Sequence, residues 1–255
     1  MEYVPNNYSH SELHDILLYV LHQLNDMTQA QSIFVLRFLV IPILQSLIKK
    51  EEMHSVITVE LTRVFVENAR NPDAERDVCL EVELLDMGRL LMVGAPDLCN
   101  DPFCKDMLKY AWSFLKSDHV ECKSHAFLLV AYIFRTLELT DRMVLNVFVN
   151  LLKSDFAETK RELVQEALDV MVPALVDKFA DKAKTGSFPV WLEYAIKHML
   201  GEGHKLNLLM NLWQMVIGHP DLFYDYYPGI LGQMVNTEPF EMSTNANSET
   251  GGCRL

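Results

Sequence analysis

Apolar residues recur every three or four positions along almost the whole of this 255-residue chain. In the first such segment they stand at Leu13, Ile16, Leu17, Val20, Leu21 and Leu24. This spacing places them on one face of an α-helix, and Ser9 with Glu12 forms a capping-box signature in front of it. Strand-like alternation between hairpin turns is missing from the sequence. The pattern therefore predicts an all-α fold.

The same spacing predicts ten further helices, at about residues 28–49, 55–69, 74–92, 103–116, 120–137, 141–153, 157–179, 190–200, 205–217 and 222–235. Their junctions are short and carry Asn, Asp, Pro or Gly, as at 71–73, 101–102 and 219–221. Pro suits the first turn of a helix and Asp its cap, and short junctions favour antiparallel neighbours. Glycine and proline number only ten each, which favours long uninterrupted helices.

An internal repeat distinguishes a repeat protein from a simple bundle. Lys-Ser-Asp at 116–118 recurs at 153–155, an offset of 37 residues. The residues that keep this register are Glu121 and Lys123 with Glu158 and Lys160, Met107 and Leu108 with Val144 and Leu145, Phe114 and Leu115 with Leu151 and Leu152, and Ile133 and Phe134 with Val170 and Met171. The offset lies between the tetratricopeptide length of about 34 and the HEAT range of about 40 to 47. Because the Trp, Leu-Gly and Tyr pattern of tetratricopeptides is not visible, we predict a HEAT-like α-solenoid of antiparallel helix pairs.

The chain divides by composition into three parts. Residues 1–9 are predicted to be an N-terminal loop, residues 10–235 the HEAT-like repeats, and residues 236–255 a disordered tail, since the last part is too polar to offset its ordering entropy by burial. Pro228 and Gly229 are expected to split or kink the helix that contains them. No polar capping helix follows, so we expect a solenoid that is cut off.

Composition excludes several functional classes. A net charge of −13 repels phosphate backbones, so we predict no direct nucleic-acid binding. Five widely spaced cysteines without a secretory leader indicate free thiols in an intracellular, reducing compartment. The most apolar stretch, Ile33–Ile48, is interrupted by Arg37, Pro42 and Gln45, so we interpret it as a buried core helix and predict no membrane binding. No basic nuclear-import cluster is visible.

The search for catalytic and metal motifs gives weak patterns only. Gly-rich phosphate loops and the nucleophile elbow are absent from the sequence. His10 and His14 lie one helical turn apart, but Glu12 stands between them and not next to the first histidine, as a zinc protease motif requires. We therefore interpret this pair as part of a solvated helix face.

Four residues could be written as a zinc site: Cys99, Cys104, Cys122 and His125. The spacing is wide and the second pair is helical, so residues of a helical core are the better interpretation. A thiolate dyad of Cys122 with His119 or His125 lacks an orienting third group and an oxyanion hole.

The remaining polar and aromatic clusters have simple structural explanations. The carboxylate pairs Glu81 with Glu83, and Asp225 with Glu238, are interpreted as solvated faces. The aromatic run at 223–227 contains no Lys or Arg, so packing is favoured over base stacking. We therefore predict no catalytic residue, no cofactor and no metal, and the sequence assigns no partner-binding residue. Because no catalytic motif remains, we predict that the protein binds other molecules and does not catalyse a reaction.

The stretch from Trp112 to Phe223 resembles the HEAT-repeat region of the TRRAP family, very large pseudokinases related to phosphatidylinositol kinases. The resemblance rests on the order and spacing of Leu129–Tyr132, Val144–Lys153, Leu163–Asp169, Pro173–Leu175, Trp191, Glu202–His204 and His219–Phe223. It covers roughly 110 residues, and the preceding hundred are compatible helical repeats. Most matched positions are core positions.

This resemblance implies a nuclear, non-enzymatic scaffold of histone acetyltransferase complexes, whose partners are transcription activators and coactivator subunits and not small molecules. The FAT region and kinase-like domain that follow the solenoid in that family are absent from this sequence, so we expect a fragment, a truncated gene model or a short divergent member. The alternative is a cytoplasmic helical-repeat adaptor of the karyopherin or phosphatase-scaffold type, for which the charge of −13 favours basic ligands.

Overall fold

The computed structural model describes residues 7–53, 55–69, 77–154, 161–180, 188–201 and 206–235, and these ranges contain helices and no strand. The helices are α1 His10–Gln23, α2 Gln29–Lys49, α3 Ser55–Ala69, α4 Val78–Gly94, α5 Asp101–Phe114, α6 Val120–Thr136, α7 Asp141–Lys153, α8 Arg161–Phe179, α9 Val190–Gly201, α10 Leu206–Gly218, α11 Pro220–Phe223 and α12 Tyr227–Val235. The all-α prediction is confirmed. Helices α1–α10 lie in one compact unit, Met1–Gly218, and α11 and α12 lie in a second, His219–Leu255.

Several helices begin at caps that the sequence encodes locally. The capping box before α1 is formed: the backbone N–H of Ser9 donates to the Glu12 carboxylate at 2.7 Å, and the N–H of Glu12 donates to Ser9 Oγ at 3.4 Å. Thr28 and Gln31 form a second capping box before α2. The Asn100 side chain caps α5, whose first turn contains proline. Such caps satisfy N–H groups that have no partner within the helix.

The first unit has two layers. Each even-numbered helix from α2 to α10 contacts the next even-numbered one, and α1, α3 and α5 follow each other in the second layer, as do α7 and α9. Contacts also join the members of the pairs α1–α2, α5–α6 and α7–α8. Stacked helix pairs of this kind are typical of a HEAT-like solenoid, in which each pair buries one face against its neighbours.

The spacing of the pairs corrects the predicted period of 37 residues. The first helices of the five pairs begin at residues 10, 55, 101, 141 and 190, so the spacing varies and is 40 between the two pairs that carry the Lys-Ser-Asp copies. The offset of 37 reflects similar sequences at the ends of α5 and α7 and does not describe the whole unit. Ile133 is buried while its counterpart Val170 is only half-buried, so the second helices of the two pairs are not equivalent.

Aromatic side chains link neighbouring helices within the layers. Trp191 of α9 packs edge-on against Phe148 of α7, with ring centroids 5.8 Å apart. Phe65 of α3 contacts Phe103 at 5.9 Å and Tyr110 at 5.8 Å, both on α5. All five residues are at most 2 % exposed. Aromatic pairs of this geometry stabilise by about 0.5–1.5 kcal/mol beyond the burial of their surface.

Helix α2 agrees with the helix predicted at 28–49. Among the described residues it is the one helix long and apolar enough to cross a membrane, so the expectation that Arg37, Pro42 and Gln45 leave its apolar stretch too short is wrong. A π-helical turn at Leu36–Val40 precedes Pro42, whose ring would clash with the carbonyl four residues back in a regular helix. One such helix is weak evidence for a span, because core helices meet the same criteria. In this helix Leu36, Ile43 and Leu47 are fully buried, Phe34 and Phe38 are exposed, and one third of the apolar window is buried.

The second unit is short in its described part. The single helix predicted for 222–235 is divided into α11 and α12 by a 3₁₀ turn at Tyr224–Tyr226, as expected from Pro228, which takes the first turn of α12. Residues 1–6, the junction at 71–73, Asp155 and the predicted tail at 236–255 lie outside the described residues.

Candidate protein-binding groove

A polar network joins α4, α6 and α8, three successive helices of one layer. Nδ1 of His125 lies 2.9 Å from Oδ1 of Asp86, and the Arg89 guanidinium lies 3.5 Å from Asp86 and 3.6 Å from Glu166. The hydroxyl of Tyr132 donates to Glu166 at 2.9 Å. The network connects three successive helices of one layer, so it holds α8 in register with α4 and α6.

The network shifts the pKa values of its members in opposite directions. Burial raises the pKa of Asp86, but the hydrogen bond from His125, its charge and the Arg89 guanidinium together outweigh burial, so the pKa is lowered. Burial, followed by the hydrogen bond to Glu166, raises the pKa of Tyr132. Asp86 is therefore an anion and Tyr132 a neutral donor at neutral pH.

Beside this network lies a cavity of about 1250 Å³ between the end of α6, the connection to α7, and α8; we call it the acidic groove. Its carboxylates are Glu138, Asp141, Glu162, Glu166, Asp169 and Asp177. Its cationic side chains are Arg135 and Lys178. The groove thus carries an excess of four negative formal charges.

Four of the carboxylates belong to one face of α8. Glu162, Glu166, Asp169 and Asp177 fall within an arc of about 80° when residues advance by about 100° each. Pro173 lies on the same face and lines the groove. The apolar residues that predicted α8 lie on the opposite face of the helix, so their spacing gave no sign of the groove. The sequence signal that could have revealed the groove is the row of acidic residues on this face.

The floor of the acidic groove is apolar. Val144 and Met171 are buried, while Leu139, Val170 and Ala174 are half-buried. Glu138, Glu162 and Asp177 at the edges are exposed to solvent. An apolar floor within a charged rim is the usual composition of a surface that binds another protein segment.

One ammonium group already lies in the acidic groove. Nζ of Lys178 donates to the backbone carbonyl of Leu139 at 2.6 Å and lies 3.9 Å from a carboxylate oxygen of Asp141. The Lys178 side chain is 24 % exposed. These contacts tie α8 to the connection between α6 and α7 and give one wall of the groove a defined position.

A second cavity, of about 610 Å³, lies beside α5, α6 and α7; we call it the lysine cavity. Lys116, Lys123 and Lys153 line it together with the exposed side chain of Trp112. Lys116 and Lys153 are the first residues of the two Lys-Ser-Asp copies. Lysines at equivalent positions of the predicted repeat therefore line the same cavity. The second Lys-Ser-Asp copy is described only up to Ser154.

The histidine pair near the N-terminus does not lie on a solvated face. His14 is 8 % exposed and its Nε2 lies 2.9 Å from the Glu52 backbone carbonyl, while Nδ1 of His10 lies 2.9 Å from the Glu52 carboxylate. The interpretation as a solvated face is wrong for His14, because the end of α2 folds back onto α1. The pair thus joins the first two helices.

Cys99, Cys104 and Cys122 lie in the core, as predicted for these three residues, while Cys79 is exposed. Burial raises the pKa of the Cys99 thiol to about 12 and that of Cys122 to about 11. The Cys104 thiol donates to the Cys99 carbonyl at 3.2 Å, and His125 makes its contact with Asp86 and not with a metal-ligand set. Among the described residues no group of three or more His, Cys, Asp or Glu could hold a metal ion.

The pair Glu81 and Glu83 is buried, so its interpretation as a solvated face is wrong. Glu83 accepts hydrogen bonds from the Arg37 guanidinium, with 2.6 Å to Nε. Glu81 accepts a hydrogen bond from the hydroxyl of Tyr110. Each carboxylate thus meets a donor from a neighbouring helix, a requirement for burying a charge. The second proposed carboxylate pair includes Glu238, outside the described residues.

Comparisons with known proteins agree with this architecture. The family model for the Tra1 HEAT repeat ring region matches residues 2–250. The chain is 30 % identical over 167 residues to a probable transcription-associated protein 1 of Dictyostelium discoideum, covering 65 % of this chain and 4 % of that protein. It is 28 % identical over 171 residues to the SAGA complex/NuA4 acetyltransferase complex subunit TRA1 of Saccharomyces cerevisiae, covering 66 % of this chain and 4 % of that protein.

A human relative, the transformation/transcription domain-associated protein, is 25 % identical over 187 residues, which cover 69 % of this chain and 5 % of that protein. The chain thus spans only a small part of the length of the relatives it matches. The family model extends well beyond the region from Trp112 to Phe223 that carried the resemblance. The chain belongs to the TRRAP/Tra1 family, within its HEAT-repeat ring region.

Proposed function

We propose that this chain is a non-catalytic scaffold segment that binds other proteins within a nuclear transcription coactivator assembly. The observation that carries the proposal is the match of residues 2–250 to the Tra1 ring region, in a unit built of stacked helix pairs. The yeast relative is named as a subunit of the SAGA and NuA4 acetyltransferase complexes. Membership of the same family supports coactivator subunits as partners of this chain.

The described side chains support binding over catalysis. The three buried thiols have raised pKa values, which disfavours the thiolate that nucleophilic catalysis requires. Asp86 and His125, which could form a proton-transfer pair, are engaged in a network that joins three helices. The two cavities instead offer charged rims beside apolar surface, which suits protein segments.

The proposal is tested by affinity capture of the tagged full chain from nuclear and cytoplasmic extracts, followed by mass spectrometry. We expect acetyltransferase-complex subunits from the nuclear extract. Recovery of import cargo or phosphatase subunits in their place would contradict the proposal and support the adaptor alternative. A matched control is the chain with Phe148→Ala and Trp191→Ala, which removes a buried aromatic contact between α7 and α9 and reports capture by poorly folded protein.

A further inference from the structure

The rim of the acidic groove selects the charge of its occupant. Glu138, Glu162 and Asp177 are exposed, and the lining carries six carboxylates against two cationic side chains. Nucleic acids and other polyanions are repelled by such a surface. Positively charged side chains are attracted to it, so charge complementarity identifies lysine and arginine as the residues that this rim accommodates.

The contacts of Lys178 show which oxygen atoms of the groove can bind an ammonium group. Its Nζ reaches the Leu139 carbonyl at 2.6 Å and approaches Asp141 at 3.9 Å. The groove therefore combines backbone and carboxylate oxygens around a lysine side chain of this chain itself. The exposed carboxylates of Glu162 and Asp177 offer the same chemistry to side chains that come from outside.

The apolar floor limits the occupant further. A small cation or a polylysine strand would leave Leu139, Val170 and Ala174 in contact with water, while apolar side chains alternating with basic ones would cover them. Glu162 and Asp177 are 15 positions apart on α8, which corresponds to about 22 Å along a helix axis. A helical segment of about 16 residues spans the same length.

We infer that the acidic groove binds an amphipathic, lysine- or arginine-rich helical segment of a partner protein. This inference rests on the proposed scaffold function and names the chemistry of one of its partners. The apolar face of the segment covers the floor, and its basic side chains meet the carboxylates of the rim.

The test measures fluorescence anisotropy of a labelled 16-residue leucine–lysine peptide, with leucine at every third or fourth position, added to the full chain. The groove variant is Glu138→Gln, Glu162→Gln and Asp177→Asn. The matched control is Asp15→Asn, Asp97→Asn and Asp118→Asn, three exposed carboxylates outside both cavities with the same change in net charge.

We expect the groove variant to bind the peptide about tenfold more weakly than the original chain, and the control variant to stay within about twofold. Equal weakening in both variants would overturn the inference, because attraction would then follow net charge alone. Equally tight binding of a 16-residue polylysine would also overturn it, because the apolar floor would have no role. Circular dichroism verifies that both variants retain the helical content of the original chain.

The two proposals fail in different ways. If the peptide does not bind but the full chain still captures acetyltransferase-complex subunits, the inference about the acidic groove is wrong and the scaffold function stands. If the peptide binds specifically while the capture recovers phosphatase subunits or import cargo, the chemistry of the groove stands and its biological setting is wrong.

Discussion

His125 of α6 and Asp86 of α4 form a partly buried hydrogen-bonded pair, with 2.9 Å between Nδ1 and Oδ1. Because the pKa of Asp86 is lowered in the folded chain, its carboxylate contributes stability above the ordinary aspartate pKa of about 3.9 and loses it as pH falls through the lower folded value. We expect Asp86→Asn to reduce the free energy of unfolding by about 1–2 kcal/mol at neutral pH. Urea unfolding from pH 7 down to pH 3 measures the difference.

The difference between Asp86→Asn and the original chain should begin to shrink at the acidic end of that range, because Asp86 takes up its proton in the unfolded chain at a higher pH than in the folded chain. Asp15→Asn provides a control, since Asp15 is exposed and surface substitutions change stability by about 0.5 kcal/mol or less. A difference that stays constant down to pH 3 would contradict the role of the Asp86 charge.

Tyr110 of α5 donates a hydrogen bond to the buried carboxylate of Glu81 on α4. We expect Tyr110→Phe to reduce the free energy of unfolding by about 1–3 kcal/mol, because a buried carboxylate loses a donor. Thermal and urea unfolding of the variant provide the measurement.

Tyr19→Phe is the matched control, because Tyr19 is 69 % exposed. This substitution removes the same hydroxyl group but takes no hydrogen-bond donor away from a buried carboxylate. Its stability should stay within about 0.5 kcal/mol of that of the original chain. Equal effects of the two substitutions would show that the Tyr110 hydroxyl has no special role at Glu81.

Helix boundaries could be predicted because their signals are local. α3 and α7 span the predicted residues, and the capping box at Ser9 and Glu12 forms as expected. The repeat period was predicted less well, since the Lys-Ser-Asp copies are 37 residues apart while α5 and α7 begin 40 residues apart. A short sequence match of this kind gives the distance between two copies and not the distance between the helix pairs that contain them.

The burial of charged residues could not be predicted, because it depends on partners from distant helices. Glu83 is buried because Arg37, 46 positions earlier, reaches it from α2. His14 is buried because Glu52 folds back from the end of α2. The acidic groove was not predicted for a similar reason. The acidic residues of α8 form one side of a cavity only because the connection that contains Leu139 lies opposite them in the fold.

Glu51 adopts a left-handed conformation, with φ of 57°, at the end of α2. The N–H of Glu52 donates to the Leu47 carbonyl at 2.9 Å and that of Glu51 to the Ile48 carbonyl at 3.0 Å, which is the Schellman arrangement that favours glycine at this position. We expect Glu51→Gly to increase the free energy of unfolding by about 0.5–1 kcal/mol, because it removes the strain of a Cβ in the left-handed region. Urea unfolding measures the increase.

Glu51→Ala separates conformational strain from loss of charge. It removes the carboxylate but keeps the Cβ, so its stability should stay close to that of the original chain. If alanine stabilises the chain as much as glycine does, the gain comes from removing negative charge near the C-terminus of α2 and the strain argument fails.

The cysteines allow a direct test of the non-catalytic proposal. Cys79 is exposed and Cys122 is buried. The hydrogen bond with Asp77 raises the pKa of Cys79, and burial raises the pKa of Cys122 to about 11. We expect a thiol reagent at about pH 8 to modify Cys79 at least about tenfold faster than Cys122 in folded protein, because the thiolate is the reactive form and access is restricted. Mass spectrometry of the modified peptides over time measures both rates. In denaturant the two rates should converge, since burial is lost; faster modification of Cys122 in the folded chain would instead indicate an activated thiol and reopen the case for an enzyme.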